Sequence, residues 1–205
     1  MPAPRIAPFA ALALMLAASP AAAAGSEAGF WPCVQPRVAS LAAGQMWAGP
    51  PIDGLAWRDD TGVAELVPLL AARRTPIEDA QARIDGFAKS AGADKASRLA
   101  LLFAGVFDQI NTQRSRIIVG IENYARHQLE LSNRIKAESL ALAKAKKAAA
   151  SDEERAKAAE LEKQLLWDTR IYDTRTLAVN AVCESPVLLE QRAFALARSI
   201  QNAME

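Results

Sequence analysis

The sequence predicts an all-α protein: a helical bundle with a long antiparallel, coiled-coil-like helical hairpin and an irregular N-terminal arm. Two absences carry this prediction, since no proline lies between Pro76 and Pro186 and no glycine follows Gly120. Long stretches that lack both residues and are rich in Ala, Leu, Glu, Lys and Arg are typical of continuous helix. Residues 25–60 are the opposite, because repeated prolines and glycines interrupt any regular element there.

The first 24 residues have the form of a secretory signal peptide. Arg5 precedes an apolar run over residues 6–18, and small residues follow as far as Ala24. The apolar run is shorter than the roughly 20 residues that cross a bilayer. We therefore expect cleavage near Ala24, no transmembrane segment afterwards, and a periplasmic or secreted protein.

The arm, residues 25–60, is rich in tryptophan as well as proline. It holds Trp31, Trp47 and Trp57, three of the four tryptophans in the chain. Disordered segments are poor in aromatic residues, so the arm is expected to pack along the helices. The alternative is that Trp47 and Trp57, together with Phe103 from the helical region, form an accessible surface for a ligand or partner.

The first two helices are predicted over residues 61–74 and 76–91. In both, apolar residues recur at steps of three and four. Pro68 should kink the first helix or mark a restart. Thr75 and Glu78 have the spacing of a capping box, which predicts Thr75 as the N-cap of the second helix.

The rest of the chain is predicted to be almost entirely helical. Residues 94–147 read as one helix, about 75–80 Å long if unbroken. Ser151 and Glu154 form a second capping box that begins a returning helix over residues 152–184. A last helix is predicted over residues 186–203, because it opens on a proline. Residues 61–205 are thus expected to form a single helical domain.

Apolar residues at near-heptad spacing predict the seam between the two long helices. On the first helix the seam runs through Phe103, Val106, Ile110, Ile117, Ile121, Tyr124, Leu131 and Ile135, with polar interruptions at Gln113, Arg114 and Gln128. A break near residues 111–114 or at Gly120 stays open. With a turn near residues 149 and 150, facing residues have numbers that sum to about 299. The tip, residues 141–159, should project into solvent.

The two cysteines, Cys33 and Cys183, predict one structural disulfide in an oxidising compartment. A reactive thiol or a metal ligand is the alternative. Neither cysteine has a C-x-x-C partner, however, and His127 is the only histidine in the chain.

Composition and motifs exclude several classes of protein. The chain carries 24 Lys and Arg against 23 Asp and Glu, without the basic surplus that a nucleic-acid binder needs. A single histidine excludes di-iron bundles, zincins and c-type haem attachment. No nucleophile elbow, P-loop, dinucleotide motif or calcium loop occurs. We predict no catalytic residue, no cofactor and no metal site.

One polar cluster is expected from the hairpin pairing: His127 with Tyr172 and Asp168. A carboxylate beside the imidazole would support proton transfer or ligand binding. The alternative is that these side chains only fix the register of the two helices.

Two functions fit these observations. The first is a non-enzymatic exported protein that acts as an adaptor or chaperone-like element, contacting another envelope protein or itself through the hairpin. The second is a binding protein that holds a small or apolar ligand between the tryptophan arm and the helical bundle.

Overall fold

The computed structural model describes residues 31–205, and every regular element in this range is helical. The all-α prediction is confirmed. The predicted signal peptide and residues 25–30 of the arm lie outside the described residues. The four helices are α1 (Thr61–Ala71), α2 (Ile77–Ser90), α3 (Lys95–Ala148) and α4 (Asp152–Met204), with single 3-10 turns at Ala43–Gln45, Trp57–Asp59 and Gly92–Asp94.

The molecule has two parts that share α3 and α4. The body contains the arm from residue 31, α1, α2, the first part of α3 to residue 113 and the last part of α4 from residue 186. The hairpin contains the remainder of α3 and α4, which pack on each other and, next to the body, also contact the arm through Arg114, Ser115 and Cys183. The largest fully buried side chains of residues 31–205 lie in the body, apart from Ile121: Phe103, Leu70, Ile84, Leu99, Leu102, Ile110, Leu189, Leu196, Ile200, Val63 and Val67.

The arm packs against the body, as the first of its two interpretations predicted. Leu41, Met46, Trp47 and Trp57 are buried in the core. The arm backbone is also held by α3, since the Leu41 amide donates to Asn111 Oδ1 at 2.9 Å. Its irregular chain is therefore ordered by burial and by side chains of α3.

The disulfide between Cys33 and Cys183 is present, with 5.5 Å between the two Cα atoms. It joins the arm to α4 three residues before Pro186, where the hairpin leaves the body. The predicted staple is confirmed.

Helix α1 begins at an N-cap that also carries an ion pair. Asp60 Oδ1 accepts from the Val63 amide at 3.0 Å, and Arg98 of α3 donates to the same carboxylate at 2.7 and 2.9 Å. The hydrogen bond from Arg98 is the main reason that the pKa of Asp60 falls from 3.8 to about 2. Pro68 lies inside α1, and the helix ends at Ala71 because Ala72 is extended.

The capping box predicted for α2 is wrong. The N-cap position is Pro76, and no side chain caps this helix end. The carbonyl of Thr75 instead accepts from Arg192 Nη1 at 2.9 Å, and the carbonyl of Leu70 accepts from Arg192 Nε at 2.7 Å. A half-buried arginine of α4 therefore holds the α1–α2 connection, a tertiary interaction that local sequence does not reveal.

The break predicted between residues 184 and 186 is also wrong, because α4 runs through Pro186 without interruption. A proline inside a helix removes one backbone hydrogen bond and costs about 3 kcal/mol or more. Here Cys183, Pro186 and Leu189 are buried on one face of α4. Burial of this face against the body offsets the missing bond, so the helix continues.

Helix α3 is likewise continuous, through both points where a break was left open. Its buried seam passes through Arg114, Ile118, Ile121, Ala125, Gln128, Leu131 and Leu142. The predicted seam was therefore wrong at Ile117 and Tyr124, which are only half-buried beside it. The prediction of polar seam positions at Arg114 and Gln128 is confirmed by their burial.

The predicted pairing register of the hairpin is confirmed by cross-helix hydrogen bonds. Tyr124 donates its hydroxyl to the carbonyl of Arg175, and Gln128 Nε2 donates to the carbonyl of Tyr172 at 3.3 Å. The capping box of Ser151 and Glu154 that begins α4 is also present. Residues 141–159 have only Leu142 and Ala158 buried, so the tip is a thin pair of helices.

Candidate functional site

The residues predicted as an aromatic binding surface are mainly part of the core. Trp47 stacks on Phe103 with ring centroids 4.2 Å apart and planes within 10°. The indole of Trp47 donates to the Pro50 carbonyl at 2.7 Å, so its polar atom is satisfied inside the arm. The structure places Trp47 and Phe103 in the packed interior and not on an accessible ligand-binding wall.

Trp57 is the one member of that set at the edge of a groove. Its indole donates to Asp108 Oδ2 at 3.3 Å, and the Arg58 guanidinium lies over its ring at 4.0 Å. The open groove beside it measures about 890 Å³ and separates the arm from α3, with Phe107 and Asn111 on the α3 side.

A second groove of about 640 Å³ lies between residues 31–38 and the two long helices. Its lining includes Trp31, Val38, Ile118, Pro186, Phe194 and Arg198. At its base lies Arg114, whose side chain is 5% exposed. Arg114 Nη1 donates to the Val38 carbonyl at 2.6 Å, Nη2 lies 3.5 Å from Glu190 Oε2, and Nε has no hydrogen-bond partner among residues 31–205.

The predicted cluster of His127, Tyr172 and Asp168 is not joined by any hydrogen bond within the described residues. His127 is exposed, and its Nδ1 lies 3.1 Å from Glu130 Oε2 on the same helix. It lines an open groove with Tyr124, Ile171 and Arg175. Position 127 is next to the seam residue Gln128, so its side chain points beside the seam and not across it.

Asp168 is instead the centre of a buried ionic cluster in the hairpin. Its carboxylate is 2% exposed and accepts from Arg134 Nε at 2.7 Å and from Gln164 Nε2 at 3.4 Å. The hydrogen bond from Arg134 is the main cause that lowers the pKa of Asp168. Asp168 is therefore a buried polar residue of the seam on α4, whereas Arg175 is exposed.

Glu138 adds a second carboxyl to this cluster. Burial is the main cause that raises its pKa, and the nearby charge of Asp168 raises it further. Its Oε2 atom is buried without a hydrogen-bond partner. The arrangement suits a register-setting element, since each charge is placed by a partner on the other helix or one turn away.

Sequence reasoning missed a set of large apolar side chains on the outside of the hairpin. Leu166 and Leu177 are 66% and 83% exposed, while Trp167 is 62% and Leu140 66% exposed. A signal was available, because Leu165, Leu166 and Trp167 are consecutive and a heptad seam cannot bury all three.

Within residues 31–205, no group of three or more His, Cys, Asp or Glu side chains could hold a metal ion. No helix in the same range has the length and apolar character needed to cross a membrane. No protein-family model, curated protein or solved structure matches the chain. The function is therefore argued from these surfaces alone.

Proposed function

We propose that this chain is an exported, non-enzymatic helical protein of the periplasm or cell envelope that acts as an adaptor or chaperone-like element. The hairpin is its interaction surface. The observation that supports this proposal is the exposure of Leu140, Leu166, Trp167 and Leu177 on a part of the molecule that the body does not cover. Exposed apolar side chains on a helix are the anchors through which helices bind other helices.

The position of these residues matters as much as their exposure. Single exposed leucines are common on protein surfaces and need no explanation. Here four large apolar side chains lie on the two helices of the hairpin, outside the packed body. A hairpin built in this way presents apolar contacts at a distance from the body, where a second protein can reach them.

Export is proposed from the predicted signal peptide and from the Cys33–Cys183 disulfide, a bond that persists in oxidising compartments. Mass spectrometry of the protein purified from its own cells tests this directly. We expect a mass that corresponds to cleavage near Ala24 and two fewer hydrogens than the reduced chain. An uncleaved, reduced chain would contradict the export proposal.

Crosslinking in cells tests the interaction role. A photoreactive residue is placed at Leu140 or Trp167 on the hairpin, and matched exposed controls are placed at Asp79 and Lys89 on α2. We expect crosslinks from the hairpin positions and few from the controls. Crosslinks from α2 alone would overturn the proposal. A chain in which a short turn replaces residues 141–159 should lose partners that bind the tip while keeping its body folded.

The second candidate function, ligand binding, is favoured by the 640 Å³ groove between the arm and the helices. It combines apolar walls with the guanidinium of Arg114 at its base, a positive group suited to an anionic group on an apolar ligand. Native mass spectrometry of the gently purified protein tests it, because a retained ligand adds a defined mass. The variant Phe194→Ala should lose that mass, and Phe107→Ala in the other groove is the control.

A further inference from the structure

A row of four exposed residues runs along α4 at the middle of the hairpin. Leu166, Arg170, Asp173 and Leu177 follow one another at steps of four, three and four residues. This is the spacing of successive core positions in a coiled coil, so the four side chains share one face of the helix. All four are exposed, which leaves a helix face with core spacing and no partner within the described residues.

The row lies on the side of α4 that faces away from α3. Asp168 is buried in the contact with α3, and Leu166 lies two positions before it, about 200° around the helix. Leu177 lies nine positions after Asp168, which also places it opposite the contact with α3. We call Leu166, Arg170, Asp173 and Leu177 the midpoint face.

The order of residues in this row makes it complementary to itself. From Leu166 to Leu177 the row reads apolar, positive, negative, apolar. In an antiparallel copy the same row reads apolar, negative, positive, apolar. Each leucine then meets the other leucine of the second copy, and Arg170 meets Asp173 twice, as a two-fold interface requires.

The charges of this row are available for such pairing. Neither Arg170 nor Asp173 belongs to an ion pair formed among residues 31–205. The charges also select one register. A shift of seven residues would place Asp173 against Leu177 and Leu166 against Glu184, leaving charge against apolar surface.

We propose that two copies of this chain associate through the midpoint face, antiparallel, about a two-fold axis that crosses this face midway between Arg170 and Asp173. The two hairpins then form a four-helix arrangement in which the two α4 helices contact each other. This inference rests on the proposed use of the hairpin as an interaction element, and it names a second copy of the chain as the partner. Trp167 borders the interface.

Charge reversal tests this pairing specifically, because Arg170 and Asp173 contact each other only in this arrangement. In Arg170→Asp the homodimer has two contacts between acidic groups, and in Asp173→Arg it has two contacts between basic groups. Each variant alone should dimerise at least about tenfold more weakly than the original chain. An equimolar mixture of the two variants restores both ion pairs, so we expect a heterodimer of the original affinity. Sedimentation velocity measures the dimer affinity of each variant and of their mixture.

The matched control is the pair Asp79→Arg and Arg83→Asp on the exposed surface of α2, which should dimerise like the original chain alone and mixed. Circular dichroism checks that every variant remains helical. A chain that stays monomeric at high concentration, a dimer that both reversals leave unchanged, or a mixture that fails to associate would overturn the inference.

The outcome for the dimer is separable from that of the proposed function. Replacing residues 141–159 by a short turn leaves the midpoint face intact, so that variant should still dimerise. A monomeric chain whose hairpin crosslinks to a different protein would refute the dimer and support the adaptor. A chain that neither dimerises nor crosslinks through its hairpin would refute both.

Discussion

The body and the hairpin are built from the same two helices but are stabilised in different ways. In the body, α3 and α4 lie among α1, α2 and the arm, and core side chains such as Phe103 and Leu196 are fully buried. In the hairpin beyond the arm each helix packs only on the other within the described residues, and the seam includes Ala125, Gln128 and Asp168. The stability of a given helical residue therefore depends on how many elements surround it and not on the helix to which it belongs.

This difference has a consequence for function. A well-packed body can remain folded while a thin hairpin opens locally, because local stability follows the density of buried apolar contacts. The disulfide lies at the boundary of the two parts and ties the arm to α4 there. The hairpin can therefore open or contact a partner while the core of the body stays packed.

The largest expected effect on stability comes from truncating a large side chain in the core. Phe103→Ala removes a ring that is fully buried and stacked on Trp47, and it should lower the free energy of unfolding by about 3–5 kcal/mol. Leu142→Ala in the hairpin should cost at most about 2 kcal/mol, because only one helix faces it and the site can collapse. Urea denaturation measures both, and equal losses would contradict the distinction between the two parts.

A smaller effect, opposite in sign between the two parts, is expected when glycines of α3 are changed to alanine. A Cβ at Gly105 would lie 2.6 Å from Val67 Cγ2 and 2.8 Å from Trp57 Cδ2, so Gly105→Ala should destabilise the body by about 1–3 kcal/mol. A Cβ at Gly120 meets nothing within 4 Å. Gly120→Ala should stabilise the helix by about 0.5–1 kcal/mol. A gain at both positions would show that the body is loosely packed.

The smallest expected effect is confined to the hairpin and depends on pH. Because burial raises the pKa of Glu138 in the folded state, its favourable contribution is complete below the unfolded pKa and is lost as the pH rises through the folded pKa. Glu138→Gln keeps a neutral group there, so it should stabilise the hairpin at pH 7 by less than about 1 kcal/mol and leave its stability unchanged near pH 4.

Hydrogen exchange of hairpin amides at the two pH values measures this effect locally. The control is Glu130→Gln, an exposed position on the same helix. A gain for Glu138→Gln that is as large at pH 4 as at pH 7 would exclude ionisation as its cause.

Much of this fold could be predicted because its signals are local. The absence of proline and glycine gave the long helices, and the Ser151–Glu154 capping box located the turn between them. The disulfide was predicted from the two cysteines and the expected oxidising compartment. The pairing register of the hairpin was predicted from the position of the chain reversal. The candidate site was harder to predict, because the sequence around Trp47 and Trp57 does not say whether their side chains face a ligand or the core.

Two of the errors share one physical origin. Helix α4 continues through Pro186 and Thr75 does not cap α2, in each case because contacts from distant parts of the chain outweigh a local preference of a few kcal/mol. The predicted seam was one residue off at Ile117 and Tyr124, where the buried residues are Ile118 and Ala125. Apolar side chains cover several faces of α3, so its sequence does not distinguish two seams that differ by one residue.

The sequence by itself determined the all-α class, the hairpin and its register, because helix formation, capping and chain reversal depend on nearby residues. It also determined the disulfide, because the chain has only two cysteines. Only the tertiary structure decided that Trp47 and Phe103 are core, that Asp168 pairs with Arg134 and not with His127, and that Leu166 and Leu177 are left exposed. Those outcomes depend on which faces of distant helices pack together, because that packing decides which side chains are buried.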